Sequence, residues 1–205
     1  MVIITAAKER IVSVADRIFD ERGSGHVTIR TILRESEQHN MSAVKYYFGD
    51  REGLLAAVFR RRRVTLGIAR TEYLDAAAAE GRVLDVRNLV EAVVYPIRDH
   101  MRDAPPRSDY ARFAARLTPR IDYSSAGAVA TLDAPDQRIV TGLRRSLAHL
   151  PDAVAADRID TAFNMIVGAL AAYESRREES LDHGPATLDA LADTLVDMVT
   201  AGLTA

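Results

Sequence analysis

Apolar residues recur three and four positions apart along most of the chain, the spacing that places them on one face of a helix. The first such face is Ile11, Val14, Ala15, Ile18 and Phe19, preceded by a capping Thr5 and stopped by Gly23-Ser24-Gly25. A much shorter pattern follows. Thr28 can cap a helix whose small apolar face is Ile29, Ile32 and Leu33, with Ser36-Glu37-Gln38-His39 as a turn after it. Asn40 then caps a helix of one to two turns ending at Tyr47, anchored inward by Val44 and Phe48. Met41, Ser42, Lys45 and Tyr46 are left facing outward. Two helices this short bury little alone, so they need the supporting helices expected at residues 5–22 and 50–75.

Gly49 ends the second short helix and Asp50 caps the next, in which Leu54, Leu55, Val58 and Phe59 pack back on the first three. Its period continues through Leu66, Ala69, Tyr73 and Ala76 to Gly81, which predicts a connector of about 30 residues and about 45 Å. Further helices are expected over residues 85–103, kinked at Pro96, and over a short stretch capped by Ser108 and holding Tyr110, Phe113, Ala114 and Leu117. Residues 119–135 show no sustained period and read as a loop, either an ordinary surface loop or a pocket rim. Helices return at 135–149, 153–180 and 186–203. The fold class is all-α.

The last two helices carry long apolar stripes: Ile159, Phe163, Ile166, Val167 and Leu170 on one, Leu188, Leu191, Leu195 and Val199 on the other. Burial against the chain's own core and burial against a second subunit both fit that pattern.

The 205 residues include no cysteine, which excludes disulfides, thiolate metal sites and cysteine nucleophiles. No apolar run is long enough to cross a bilayer and the N-terminus makes a poor signal peptide, so the expected location is cytoplasmic, away from membranes. Net charge is only −2, yet it is unevenly divided. Residues 1–63 hold twelve Lys/Arg against eight Asp/Glu, and the rest fifteen against twenty-one. A basic head on an acidic body suits a protein that touches phosphate with one end. Arg60-Arg61-Arg62-Arg63 spread right round a helix; as an isolated feature the run reads as solvated surface, with long-range attraction to a phosphate backbone the alternative.

Catalytic chemistry is missing from the motifs. The histidines at 26, 39, 100, 149 and 183 form no i, i+4 pair, and no HExxH, Walker loop or GxGxxG is present. Ser124-Ser125-Ala126-Gly127 lacks the frame of a nucleophile elbow. The expectation is a non-enzyme with no catalytic residue, metal or cofactor.

Several of these residues together resemble the TetR (tetracycline-repressor-like) family of transcriptional regulators. The resemblance is carried by Phe19-Asp20-Glu21-Arg22-Gly23, by Thr28 with Ile32-Leu33, by Tyr46-Tyr47-Phe48 and by Asp50-Arg51-Glu52-Gly53-Leu54-Leu55. It implies a three-helix, helix-turn-helix DNA-binding domain over residues 1–50. A long helix would join this to a ligand-binding and dimerisation domain over 51–205. Asn40, Met41, Ser42, Ala43, Lys45 and Tyr46 would face the major groove of a pseudo-palindromic operator, with Thr28, Tyr47 and Arg51 on phosphates. A small-molecule effector would lie in the body, with Tyr73, Tyr95, His100, Phe113, Arg116 and Asn164 as candidate contacts. Arg98 and Arg116 would suit an anion such as an acyl thioester. A homodimer would form through Phe163, Ile166, Leu170, Leu188, Leu191, Leu195 and Val199. The chain departs from the family in its turn, where Ser36-Glu37 replaces the usual Ala-Gly and the segment to Ser42 is one residue longer. That would tilt or shift the reading helix. A helical interaction module without specific DNA binding is the rival reading.

Overall fold

A computed structural model of the chain describes residues 2–38, 42–103, 109–123, 125–130, 132–181 and 183–205. The described residues contain ten α-helices and no strand. They fall in two compact units, one running to Val64 and including Asp109, the other made of Thr65–Asp103 and Tyr110–Ala205.

In the first unit, α1 (Val2–Arg22) starts before the Thr5 expected to cap it and closes at Gly23, whose φ is 74°. Ile11, Ala15, Ile18 and Phe19 are buried, as their period requires. Helix α2 (Ile29–Glu35) is capped by Thr28, whose hydroxyl accepts from the Thr31 amide at 3.2 Å, and it buries Ile32 and Leu33. The end of α2 explains the unusual turn. The Gln38 amide donates to the Leu33 carbonyl at 2.8 Å and the Glu37 amide to that of Arg34 at 3.2 Å, the paired bonds of a Schellman cap. That cap needs a left-handed residue, and Glu37 supplies it with φ 57°. The glutamate thus holds the conformation a glycine adopts freely. Ser36, fully buried, donates its hydroxyl back to Leu33.

Helix α3 (Ser42–Phe48) runs one residue past the expected Tyr47, and Gly49 ends it with φ 80°. The Asp50 carboxylate then accepts from the Gly53 amide at 2.8 Å and opens α4 (Arg51–Ala79), whose 29 residues match the expected connector. Thr65 divides this helix between the two units.

The arginine run does not behave as a solvated face throughout. Arg62 is 7% exposed and pairs with Asp16 at 2.6 Å and Asp20 at 2.7 Å on α1. Arg61 reaches Asp16 at 3.4 Å. These residues lock α4 onto α1 instead of being offered to a partner.

The second unit is built around α5 (Val86–Asp103), with Pro96 buried inside it, α8 (Ala134–Ser146), α9 (Asp152–Glu178) and α10 (Leu188–Thr204). Helix α10 packs on α5 and α9, and α6 (Tyr110–Leu117) lies against α9. Between α5 and α10 the core is edged by polar pairs. Asp189, Asp193 and Asp197 stand four apart on α10, and they meet Arg102, the Tyr95 hydroxyl (3.2 Å) and Arg87 (2.7 Å) on α5. The stretch expected as a loop is anchored. It contains the short helix α7 (Ala126–Val129), and Tyr123 is buried with its ring stacked on Phe163 at 4.7 Å.

Glu174 is a buried carboxylate that begins another element. It accepts from the backbone amides of Ala111 at 3.3 Å and Arg112 at 2.9 Å, the unsatisfied first-turn donors of α6. Glu174→Ala is expected to cost about 2 kcal/mol, the range for a hydrogen bond to a charged group, with Glu174→Gln milder. Urea denaturation reads this directly, and an unchanged midpoint would show that the cap contributes nothing.

The apolar stripes assigned to a dimer are already covered within one chain. Ile166, Leu170, Leu188, Leu191, Leu195 and Val199 are all buried within the single chain, and half-buried Phe163 is engaged by Tyr123. A residue already withdrawn from water gains nothing from a second subunit. The stripes are core, and an apolar period cannot say what it is buried against.

Candidate nucleic-acid interface and body cavities

Helix α3 makes the outward face of the first unit by a division of labour along seven residues. Val44 is buried and Phe48 half-buried, with the Lys8 ammonium 5.8 Å from the Phe48 ring centroid. Ser42, Lys45 and Tyr46 point the other way, and Tyr46 is 73% exposed. The Tyr46 and Tyr47 rings meet edge to face at 5.1 Å, and Tyr47 contacts Phe48 in the same manner at 6.1 Å. This aromatic ladder orients the two tyrosines without burying Tyr46. Asn40 and Met41, assigned to the same face, lie outside the described residues, as does His39, and the Ala43 side chain is likewise not described.

Thr28 is exposed at the α2 amino terminus, where its hydroxyl is 3.0 Å from that of Thr31. Arg51 is half-buried in the first turn of α4, next to the free-amide end capped by Asp50. Two residues missed in the sequence join these. Arg30 and Arg34 are exposed, stand four apart on α2, and form no ion pair among the described residues. Their signal was present as a basic i, i+4 pair flanking the Ile32-Leu33 face.

Internal pairing decides which charges remain. Arg17 bonds Glu35 at 2.8 Å and Glu21 at 2.9 Å, Arg22 also reaches Glu35, and Arg10 meets Glu37. The Arg17 guanidinium holds the Glu35 carboxyl below its ordinary range. With much of α1 paired in this way and Arg62 turned inward, Arg30, Arg34 and Lys45 are among the exposed basic residues of the first unit that form no ion pair among the described residues, as is Arg60 on α4.

The body residues proposed as one ligand site have close neighbours of their own. Tyr73 and Tyr95 are neighbours at 6.0 Å, and Arg98 lies over Tyr95 at 4.3 Å. Burial raises both phenols above their usual pKa, and for Tyr95 the hydrogen bond to Asp193 adds to it. His100 instead stands edge-on to Tyr110 at 4.7 Å, and Arg116 is 5.9 Å from the Phe113 ring on its own helix. Asn164 donates to the Asp160 carbonyl and carboxylate one turn back.

Cavities open elsewhere in the second unit. One of about 380 Å³ lies between the end of α4, the start of α5 and α8, and none of the six candidates lines it. A shallower groove of about 250 Å³ runs between α9 and α10, with Val154, Met165 and Gly202 among its walls. No helix among the described residues is long and apolar enough to cross a membrane. No protein-family model matches the chain, and no curated protein matches it. The family resemblance therefore rests on the motif residues themselves.

Proposed function

We propose that the chain is a TetR-like transcriptional regulator: a homodimer that reads a pseudo-palindromic operator and, as a repressor, is released from it by a small-molecule effector. The observation that carries this reading is the exposure pattern of α3. A helix of seven residues holds Val44 inward and presents Ser42, Lys45 and a largely exposed tyrosine, Tyr46, outward. Leaving an aromatic ring in water next to unpaired basic groups makes sense on a surface that meets a base-lined groove and its phosphates.

In this reading α3 enters the major groove, where Lys45 donates to a base edge and Tyr46 contacts base or sugar. Thr28, Tyr47 and Arg51 hold phosphates, joined by Arg30 and Arg34 on α2. The dimer forms through the outer faces of α9 and α10, where the groove with Val154 and Met165 and exposed Met198 supplies apolar surface the core has not used. Effector binding in the body then favours one separation of the two reading heads over another, to the extent that its affinity differs between them.

Affinity measurements on a cognate duplex separate the roles. Lys45→Ala is expected to weaken specific binding by about tenfold and relax selectivity at one base position. Arg51→Ala, Arg30→Ala and Arg34→Ala are expected to weaken all duplexes alike and to flatten the salt dependence, each by about one released counterion. If all four variants bind like the unmodified chain, this docking of the head is wrong.

A further inference from the structure

The cavity of about 380 Å³ between α4, α5 and α8 combines an apolar interior with a donor that has nothing to bond. Leu74, Ala77 and Leu89 form its inner wall, and Val83 and Leu84 stand at its edge, 55% and 47% exposed. Asn88 is 8% exposed and also lines it. Its carbonyl oxygen accepts from Arg82, while its amide nitrogen is withdrawn from water and makes no hydrogen bond among the described residues. A buried amide donor with no protein acceptor is rare, and the cavity it lines is where an acceptor from outside can reach it.

The charges around the opening select the kind of acceptor. Arg82, Arg138 and Arg145 line the cavity and no carboxylate does. Nearby acids are already committed: Glu80 and Asp85 to Arg82, the latter at 3.9 Å, and Asp75 to Arg138 at 2.8 Å. Exposed Arg145 has no ion pair among the described residues, and it stands in line with Gln137 and Thr141 along α8. Among the charged groups lining the cavity, an amine entering here meets only guanidinium groups. A carboxylate finds a buried amide donor and an uncommitted cation, with apolar walls for the rest of the molecule.

We propose that this cavity binds a monocarboxylate with an apolar body, held by Asn88 and Arg145 at its acid end and by Leu74, Leu84 and Leu89 along its length. This rests on the regulator reading only in making that molecule the effector. The binding site itself stands on the cavity.

The test is calorimetric titration of the full chain, without DNA, by decanoate, decanol and decyltrimethylammonium. One decanoate is expected to bind per chain, with decanol weaker by about tenfold or more and no binding of the ammonium. Asn88→Asp keeps the acceptor for Arg82 but replaces the free donor with a like charge, and it should abolish decanoate binding. Arg145→Ala, at an exposed position that the fold does not use, should weaken it by about tenfold. Failure of decanoate to bind, equal affinity for decanol, or indifference to both substitutions would overturn the assignment. Because no duplex is present, such a failure leaves DNA recognition standing; selectivity among duplexes, measured on the same preparations, fails or survives by itself.

Discussion

Replacing Gly53 by alanine is expected to destabilise the first unit by about 3 kcal/mol or more, the upper range for forcing an atom into occupied space. A Cβ on Gly53 would lie 1.8 Å from the Phe48 carbonyl oxygen and 2.9 Å from its carbon. Both are backbone atoms, so no rotamer change can yield. The carbonyl is also pinned from both sides. The Gly49 amide donates to Lys45 at 3.0 Å to finish α3, and the Gly53 amide is tied to Asp50 to begin α4. Alanine must therefore open the junction that sets the angle of α3 against α4, and duplex selectivity should disappear with the stability. Gly49 provides the contrast. It adopts φ 80° but has open space around it, so Gly49→Ala should cost only about 1 kcal/mol, that of a left-handed residue. Denaturation and duplex binding of both variants check this. A Gly53→Ala protein as stable as the unmodified one would mean that α3 and α4 do not meet in this way.

The second large effect is expected at Arg62. Its guanidinium is shared by Asp16 and Asp20, one turn apart on α1, and it also donates to the Asp16 carbonyl at 3.1 Å. Arg62→Met removes the buried guanidinium that the two half-buried carboxylates share and leaves Asp16 with only the longer contact to exposed Arg61, at a cost of about 3 kcal/mol. Combining it with Asp16→Asn and Asp20→Asn should recover part of that loss, because the penalty lies mainly in the abandoned charges. Chemical denaturation of the single and triple variants measures the difference. A triple variant no more stable than Arg62→Met would contradict this account of the lock.

Both features were partly legible in the sequence. The Gly49 stop and the Asp50 cap followed from local rules, whereas Gly53 entered only as part of the motif before the double leucine, and its closeness to Phe48 carried no local signal. Arg62 follows Val58 by four positions on the buried stripe of α4, while Asp16 and Asp20 are an i, i+4 pair on α1; each spacing is visible alone, but nothing in the sequence joins them. The run of four arginines concealed the lock, because a block of like charge suggests surface. Helix existence and many helix ends were readable for the same local reason, as at Thr28, which caps through its hydroxyl; the Thr187 cap, one residue inside the expected start of the last helix, was not read.

What depends on distant partners was not readable. Tyr95 looked like a ligand contact because a polar aromatic residue interrupts an apolar stretch; its partner, Asp193, is 98 positions away. The stripes of α9 and α10 announced burial without saying against what. Asn88 carried no sequence signal at all. Its significance comes from a donor stranded at the wall of a cavity made by three elements.

The most direct test of the central claim is selection of bound duplexes from a random pool at physiological salt, with the solution mass of the protein measured alongside. The regulator account predicts a dimer that enriches a two-fold-symmetric site whose half-sites are spaced by whole helical turns, and loss of that enrichment when Lys45 and Tyr46 are both changed to alanine. A folded protein that enriches no sequence, with or without the carboxylate probe, or one that enriches the same site after α3 has been changed, would contradict it.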